Sequence, residues 1–457
     1  MKKLKVKYQV FTLHNFKQIP QIQNLLSDEE IHSIEVVGNV LPFKVNNYVI
    51  DELIDWNNIP EDPIFQLTFP QKGMLSKDHF EKIEDALSQD INKFELKTIA
   101  NKIRYELNPH PDGQIDNIPT LNGIKLTGVQ HKYKETILFF TSNCQTCHAY
   151  CTFCFRWPQF VGMQELKFAM QETELLVKYI KLNPDVTDVL FTGGDPMVMS
   201  AKKFSAYIEP LINHKIPNLQ NIRIGTKSLS YWPYRFLTDK DADDLLRLFE
   251  RIFNQGYNLA FMAHINHPNE LKTEAAKKAI RRILNTGAQI RTQSPIMKHI
   301  NDESTIWKDM WKEQVKLGCI PYYMFVARDT GAQDYFAITL EHAWDIFRKS
   351  YRQISGIART GRGPVMSANP GKIQILGVNE IKGEKVFTLQ FIQGRNPDWA
   401  GKPFFAKYNP NAIWLDDLIP AFGKDEFFFE EQMLCLLQKN STEKIESQAS
   451  NSITWWN

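Results

Sequence analysis

No run of about 18 uncharged apolar residues occurs in the 457-residue chain, so the sequence predicts no bilayer-spanning helix. It also lacks a surplus of either charge. Lys and Arg total 54 against 52 Asp and Glu, a formal +2, which gives no electrostatic footprint for nucleic acid or a membrane surface. The opening MKKLKVKYQVFTLHNF is basic but has neither the unbroken apolar stretch nor the small-residue cleavage site of a secretory signal. Cysteine is scarce, with six in all. A secreted disulfide framework would spread its cysteines through a smaller chain. What is present is 43% apolar and 23% charged residues, a globular composition, and the clustering of the cysteines in a large chain without a signal points to metal or redox chemistry in a reducing cytoplasm. Length alone allows about three domains, although α/β barrels use about 200–250 residues as one unit.

From about residue 137 to 328, β-branched apolar runs alternate with amphipathic stretches. This predicts strands over 137–141, 188–192, 222–226, 259–265, 289–292 and 321–326. Helices are predicted over 164–182, 201–212, 241–254, 272–285 and 305–317. In the first helix, Leu166, Met170, Leu175, Leu176 and Tyr179 fall on related faces. Strands alternating with helices argue for βαβ units and a parallel sheet, and six repeats suit a partial (β/α)6 barrel of the α/β class, here residues 126–365. Residues 1–125 read as a helical N-terminal region, with short helices around 83–101 and breaks at Pro60, Pro63, Pro70, Pro109 and Pro111. Beyond about residue 355, Gly361, Gly363, Pro364, Pro370 and Gly371 mark a loop. Strand-like runs at 372–376 and 385–391 follow, so residues 366–457 read as a C-terminal extension. Its end, 439–457, is a polar tail apart from Trp455 and Trp456, which with the strands could form a homo-oligomer contact.

Four of the six cysteines fall within eleven residues: Cys144, Cys147, Cys151 and Cys154, in FFTSNCQTCHAYCTFCFRWPQF. Cys319 and Cys435 stand alone. The segment follows the first barrel strand, at the rim where active-site loops gather. One reading is a structural zinc held by all four, as in a zinc-stabilised binding protein on a degenerate barrel. Zinc sites usually place a longer spacer between their cysteine pairs than the three residues from Cys147 to Cys151. The other reading is a [4Fe–4S] cluster on Cys147, Cys151 and Cys154, whose fourth iron stays open to a substrate or cofactor. The aromatic neighbours Tyr150, Phe153, Phe155 and Trp157 would keep such a site dry. Cys144 then reads as a packed thiol.

CHAYCTFC after a first barrel strand resembles the radical S-adenosylmethionine (SAM) superfamily. Five further segments, in order, resemble the lysine 2,3-aminomutase family: FTGGDPMVMS (191–200), RIGTKSLSYWPYRF (223–236), HINHPNEL (264–271), TQSPIMKHIND (292–302) and PYYMFVARDTGA (321–332). The resemblance runs roughly from residue 62 to 372. It implies an isomerase that cleaves SAM at an iron–sulfur cluster and starts a 2,3-amino shift on an α-amino acid. An external reducing donor such as flavodoxin or ferredoxin would supply the electron. The resemblance also implies roles for single residues. Gly193 and Gly194 would let backbone approach the methionine end, and Asp195 would meet its amino group. Gln293 would contact SAM, and Arg156 would pair with the substrate carboxylate.

The chain departs from that pattern in three places. Family members carry pyridoxal phosphate on a lysine that ends a Gly-rich run. No such run exists here, and an ungapped alignment puts Lys372, in NPGK, at that place. A second enzyme reading dispenses with pyridoxal phosphate and uses the radical for another hydrogen abstraction. Of two family arginines on the phosphate side, Lys132 stands for the first and Thr136 for the second, with Lys134 as a candidate replacement. Where lysine enzymes hold the distal ammonium with two aspartates, this chain has Arg328 and Val365. Arg328 would attract a distal carboxylate, as in a glutamate-like substrate. A one-residue slip would instead turn Asp329 inward and restore lysine.

Overall fold

The computed structural model describes residues 6–108, 115–163 and 168–437. Side-chain caps set the N-terminal helices. Ser27 Oγ accepts the Glu30 N–H at 3.3 Å while the Glu30 carboxylate accepts the Ser27 N–H at 2.7 Å, a capping box that starts α1 (Asp28–Val40). Ser76 and Asn92 cap α2 (Lys77–Ser88) and α3 (Lys93–Glu106). These two are the short helices expected around 83–101, the first beginning six residues earlier.

A mixed sheet of eleven strands follows, in strictly sequential order. Its strands are β1 (Val129–Tyr133), β2 (Thr136–Phe140), β3 (Asp188–Thr192), β4 (Asn221–Thr226), β5 (Asn258–His264), β6 (Gln289–Ile296), β7 (Ile320–Val326), β8 (Arg362–Ser367), β9 (Gly371–Ile381), β10 (Glu384–Gly394) and β11 (Pro403–Lys407). From β2 to β8 every neighbouring pair is parallel, and β1 and β9–β11 extend the edges antiparallel. The connections carry α4 (Thr173–Leu182), α5 (Ala201–Asn213), α6 (Ala242–Asn254), α7 (Glu274–Leu284), α8 (Ser304–Lys316) and α9 (Leu340–Tyr351). Each parallel crossover needs such a connection. Their apolar stripes, such as Leu245, Phe249 and Ile252 of α6, close the main core against the sheet. The protein is thus α/β with a large mixed sheet. Strand β1 also meets the far end of the parallel run: Lys132 Nζ on β1 donates to the Ala368 carbonyl after β8 at 2.5 Å, and the Lys372 ammonium on β9 lies 4.5 Å from the Tyr133 ring centre. No helix among the described residues is long and apolar enough to cross a membrane.

Two expectations change. Of the helix placed at 164–182, the described residues are helical from Thr173. Met170 belongs to the sheet instead, its N–H donating to Phe140 O at 2.9 Å and its carbonyl accepting from Ser142 N at 3.2 Å. Gly128 makes room for it, since a Cβ there would meet Met170 Cβ at 2.3 Å. The Gly/Pro stretch read as a loop contains β8, a seventh parallel strand with Gly363, Pro364, Val365 and Met366 buried. Burial on both faces outweighs the poor strand propensity of glycine and proline. Pro109, Pro111, Leu166, Trp455, Trp456 and the tail at 439–457 lie outside the described residues.

Candidate functional site

The loops after the parallel strands meet at one rim, around a cavity of about 760 Å³. Among the six cysteines, Cys147, Cys151 and Cys154 line it. Cys144 does not. It is fully buried, with Thr141 Oγ1 donating to its sulfur at 2.9 Å and its thiol directed to Thr192 O at 3.3 Å. Burial pushes that thiol up to about 11, so Cys144 is a packed thiol. Burial raises the other three as well: Cys151 to about 12, Cys147 and Cys154 above their ordinary value. A cation opposes each: Lys44 at Cys147, Lys227 at Cys151 and Arg156 at Cys154. Three desolvated thiols on one wall form a donor set for a positively charged centre. Among the described residues no three His, Cys, Asp or Glu side chains gather around a single-ion position. A four-iron cluster binds its thiolates on separate irons and does not require such gathering.

The Gly-Gly-Asp turn after β3 packs against the cysteine loop. Gly194 N–H donates to Cys144 O at 2.9 Å and Asp195 N–H to Thr146 O at 2.8 Å. A Cβ on Gly194 would lie 2.3 Å from Thr146 O, so the close approach that requires glycine is made by the cysteine loop itself. Both glycines also line the cavity. Asp195 is 3% exposed, and its oxygens accept from Met197 N, Thr226 Oγ1, Lys227 N and Ser228 Oγ at 2.9, 2.8, 2.9 and 2.9 Å. Those bonds tie the β3 loop to the β4 loop and occupy both carboxylate oxygens.

Gln293 on β6 reaches the cavity and donates to His264 Nε2 at 2.7 Å. Burial, with Lys227 and Arg156 nearby, lowers His264 to about 3, so the imidazole is neutral and accepts that bond. Beneath it, Lys227 Nζ bonds Glu270 at 2.5 Å and Asn266 Oδ1 at 2.7 Å. Sequence reasoning quoted the segments that hold His264, Lys227 and Glu270 without singling the residues out. Their positions at or just after strand ends were the available signal.

Arg156 stacks its guanidinium on Phe140, 4.3 Å from the ring centre, and its Nη1 is buried with no hydrogen-bond partner. Burial lowers it to about 10. A buried guanidinium with an idle donor fits a carboxylate ligand. Arg328 and Asp329 both line the cavity, and Arg328 Nε lies 3.4 Å from Asp329 Oδ1. The two alternatives of the alignment thus both border the cavity. Val365 is buried in the sheet between Phe325 and Gln374 and does not line the cavity.

On the opposite wall, Lys372 Nζ donates to Gln393 Oε1 at 2.7 Å and has no ion-pair partner among the described residues. Burial first, then Arg223, lowers it to about 7. Lys132 is pushed well below its ordinary value by burial, with Arg395, Arg328 and Lys372 adding. Thr136 lines the same wall. Lys134 instead pairs with Asp185 at 3.2 Å, both more than half exposed, and supplies no charge inside.

The chain is 31% identical over 414 residues to a protein of Aquifex aeolicus (strain VF5) named "Putative L-lysine 2,3-aminomutase", covering 90% of this chain and 95% of that one. It is 24% identical over 349 residues to the L-lysine 2,3-aminomutase of Methanococcus maripaludis, covering 76% and 70%. It is 24% identical over 314 residues to that of Bacillus subtilis, covering 69% and 56%. No family model matches the chain. Similarity to aminomutases along nearly the whole chain sets aside the zinc-stabilised binding protein.

Proposed function

The chain belongs to the lysine 2,3-aminomutase family of radical SAM enzymes and is an isomerase, and from that premise we propose that it catalyses a 2,3-amino shift on an α-amino acid within this cavity. The parallel strands β2–β7 are read as a partial (β/α)6 barrel within residues 126–365, with the described part of the N-terminal region on its cysteine rim and strands β9–β11 of the C-terminal extension beyond it. One observation carries the reading: the three thiols of CxxxCxxC, and no other cysteine among the described residues, open into the cavity that holds Arg156, Gln293 and Lys372.

Cys147, Cys151 and Cys154 would hold a [4Fe–4S] cluster, with Gly193, Gly194 and Gln293 beside the SAM it binds. When bound, the pair supplies a hydrogen-abstracting radical, given one electron from a donor such as flavodoxin or ferredoxin. Lys372 would hold pyridoxal phosphate, which when bound supplies an electron sink for nitrogen migration. The residues fit that group. A lysine near neutrality is a competent nucleophile, and Lys132 offers a buried cation to a phosphate. Arg156 fixes the substrate carboxylate and so sets which carbon faces the cluster wall. Asp195 acts by holding the β3 and β4 loops together. The neutral His264 orients the Gln293 amide. The aromatic wall of Phe153, Phe155 and Phe160 excludes water from the reacting centre. Arg328 favours a distal carboxylate, so the substrate is glutamate-like. The family name favours lysine, with Asp329 as the residue that would meet it.

The test is anaerobic reconstitution followed by borohydride reduction with pyridoxal phosphate present. About four irons and matching sulfide per chain, and a fluorescent adduct on Lys372, are expected. A full cluster with no adduct at saturating cofactor would move the assignment to the pyridoxal-independent reaction. Zinc without iron or sulfide would refute the cluster.

A further inference from the structure

The cysteine loop is moulded by the N-terminal region. Tyr150 N donates to Lys44 O at 2.8 Å and Thr152 N to Leu67 O at 3.0 Å. Tyr8 OH and Asn46 Nδ2 both donate to His148 O, at 2.7 and 3.1 Å. Lys44 adds its side chain. Its ammonium donates to Cys147 O at 2.7 Å and to Thr146 Oγ1 at 3.0 Å, and sits 5.5 Å from the Tyr150 ring centre.

Three cations face the three thiols, and they are not equivalent. Lys227 is neutralised by Glu270 at 2.5 Å, with 10% and 0% of their side chains exposed. Arg156 awaits the substrate carboxylate in the reading above. Lys44 is part-buried and has no carboxylate partner among the described residues. Its charge is the one left uncompensated beside the cysteine loop.

We propose that Lys44 is a positioning residue of the cluster site: its ammonium pins the Cys147 carbonyl and places a fixed positive charge beside the cluster, which raises the cluster's reduction potential. This rests on the cluster reading. The step concerned is uptake of one electron from an external donor, which is oxidised as the cluster is reduced. One negative charge is added beside Cys147, no bond forms or breaks, and no proton moves. A nearby cation stabilises the more negative state, and in a desolvated site this interaction is weakly screened. Net charge and hydrogen bonding near the sulfurs are the levers by which proteins set such potentials. No motif announces Lys44, which comes from a segment about a hundred residues before the cysteines in the chain.

The experiment uses the full chain, anaerobically reconstituted, as wild type and as Lys44→Gln, Lys44→Met and Lys44→Arg. Iron and sulfide are counted, and the midpoint potential is read from the spin signal of the reduced cluster during titration with dithionite. The expected result is wild-type iron in all four, a more negative midpoint in Lys44→Gln and Lys44→Met, and a restored midpoint in Lys44→Arg. Lys44→Gln keeps a neutral donor on a shorter arm and Lys44→Met keeps none, so a shift common to both and restored by Lys44→Arg reports charge. A wild-type midpoint in both uncharged variants would overturn the proposal. If the uncharged variants take up no cluster while Lys44→Arg does, the dependence on charge is supported. If Lys44→Arg also stays empty, shape rather than charge is required and the proposal is overturned. Wild type lacking iron and sulfide would remove the cluster reading itself before any variant is compared.

Discussion

The cysteine wall of the cavity takes its three thiols from eight consecutive residues, 147–154, whereas Lys132 and Ala368, which join at the opposite wall, stand 236 residues apart in the chain. The walls also differ in charge. On the first, burial raises every thiol, and a cation opposes each. On the second, burial lowers Lys372 to about 7 and Lys132 well below its ordinary value, and neighbouring cations add to the strain. One wall is a set of thiol donors suited to a cationic metal centre, and the other a set of cations suited to an anion. Each wall carries an electrostatic cost that its ligand would relieve.

The largest expected effect lies on the first wall. Cys151→Ala should hold no full cluster and release no 5′-deoxyadenosine under anaerobic reduction. Retained iron and SAM cleavage in that variant would break the assignment of this wall. On the second wall, Lys372→Met should abolish the borohydride-trapped adduct and lower turnover by about a thousandfold or more, the order of a lost covalent catalyst. The same change should stabilise the fold at neutral pH. Unfolded lysine titrates near about 10.4, while folded Lys372 titrates at about 7, lowered first by burial and then by Arg223. Between these values the unfolded chain binds the extra proton, so this group makes stability rise with pH across that window. Below pH ~7 its cost is fully present. Removing it should gain up to a few kcal/mol at pH 7, since each tenfold loss of proton affinity on folding costs about 1.4 kcal/mol, and nothing near pH 10. Melting curves of the cofactor-free proteins at both pH values check this. A variant less stable at pH 7 would show that Lys372 is not carrying that cost.

The walls also differ in how far the sequence revealed them. CxxxCxxC is contiguous, so its spacing and its position after the first strand together single out its thiols, and strand periodicity places the parallel strands β2–β7 to within a few residues. Lys372 was found only by carrying an alignment across a missing Gly-rich run. The sequence puts Arg328 ahead of Asp329 by a single register, because a one-residue slip reverses which side chain faces inward. The structure shows both lining the cavity, at a strand end where alternation no longer applies. Lys44 and the Asp195 bonds to the β4 loop were invisible, since they depend on contacts between segments far apart in the chain. Strand β8 was missed because Gly363 and Pro364 argue locally for a loop.

Substrate charge gives a middle-sized effect. Arg328→Ala should lower 5′-deoxyadenosine release with glutamate by about ten- to a hundredfold, the order of one charge-assisted contact. Asp329→Ala should leave glutamate turnover within about threefold. Lysine turnover in wild type that is lost in Asp329→Ala alone would assign the pair the other way.

The smallest effect decides which lysine charges the second wall. Lys132 Nζ is buried and reaches Ala368 O at 2.5 Å, among Arg328, Arg395 and Lys372. Lys134, two residues on, turns to solvent and pairs with Asp185 at 3.2 Å, a contact that screening leaves worth about 0.5 kcal/mol or less. If the wall binds the phosphate of pyridoxal phosphate, Lys132→Gln should raise the cofactor concentration for half-maximal borohydride trapping by about tenfold, or 1.4 kcal/mol. Glutamine keeps a neutral donor at this position, so the shift reports lost charge. Lys134→Gln should leave trapping within about twofold and stability within about 0.5 kcal/mol. Equal shifts in both variants would mean that long-range charge, not the buried ammonium, attracts the cofactor. In that case raising salt should weaken trapping steeply in wild type, whereas a buried contact at Lys132 predicts only a shallow dependence.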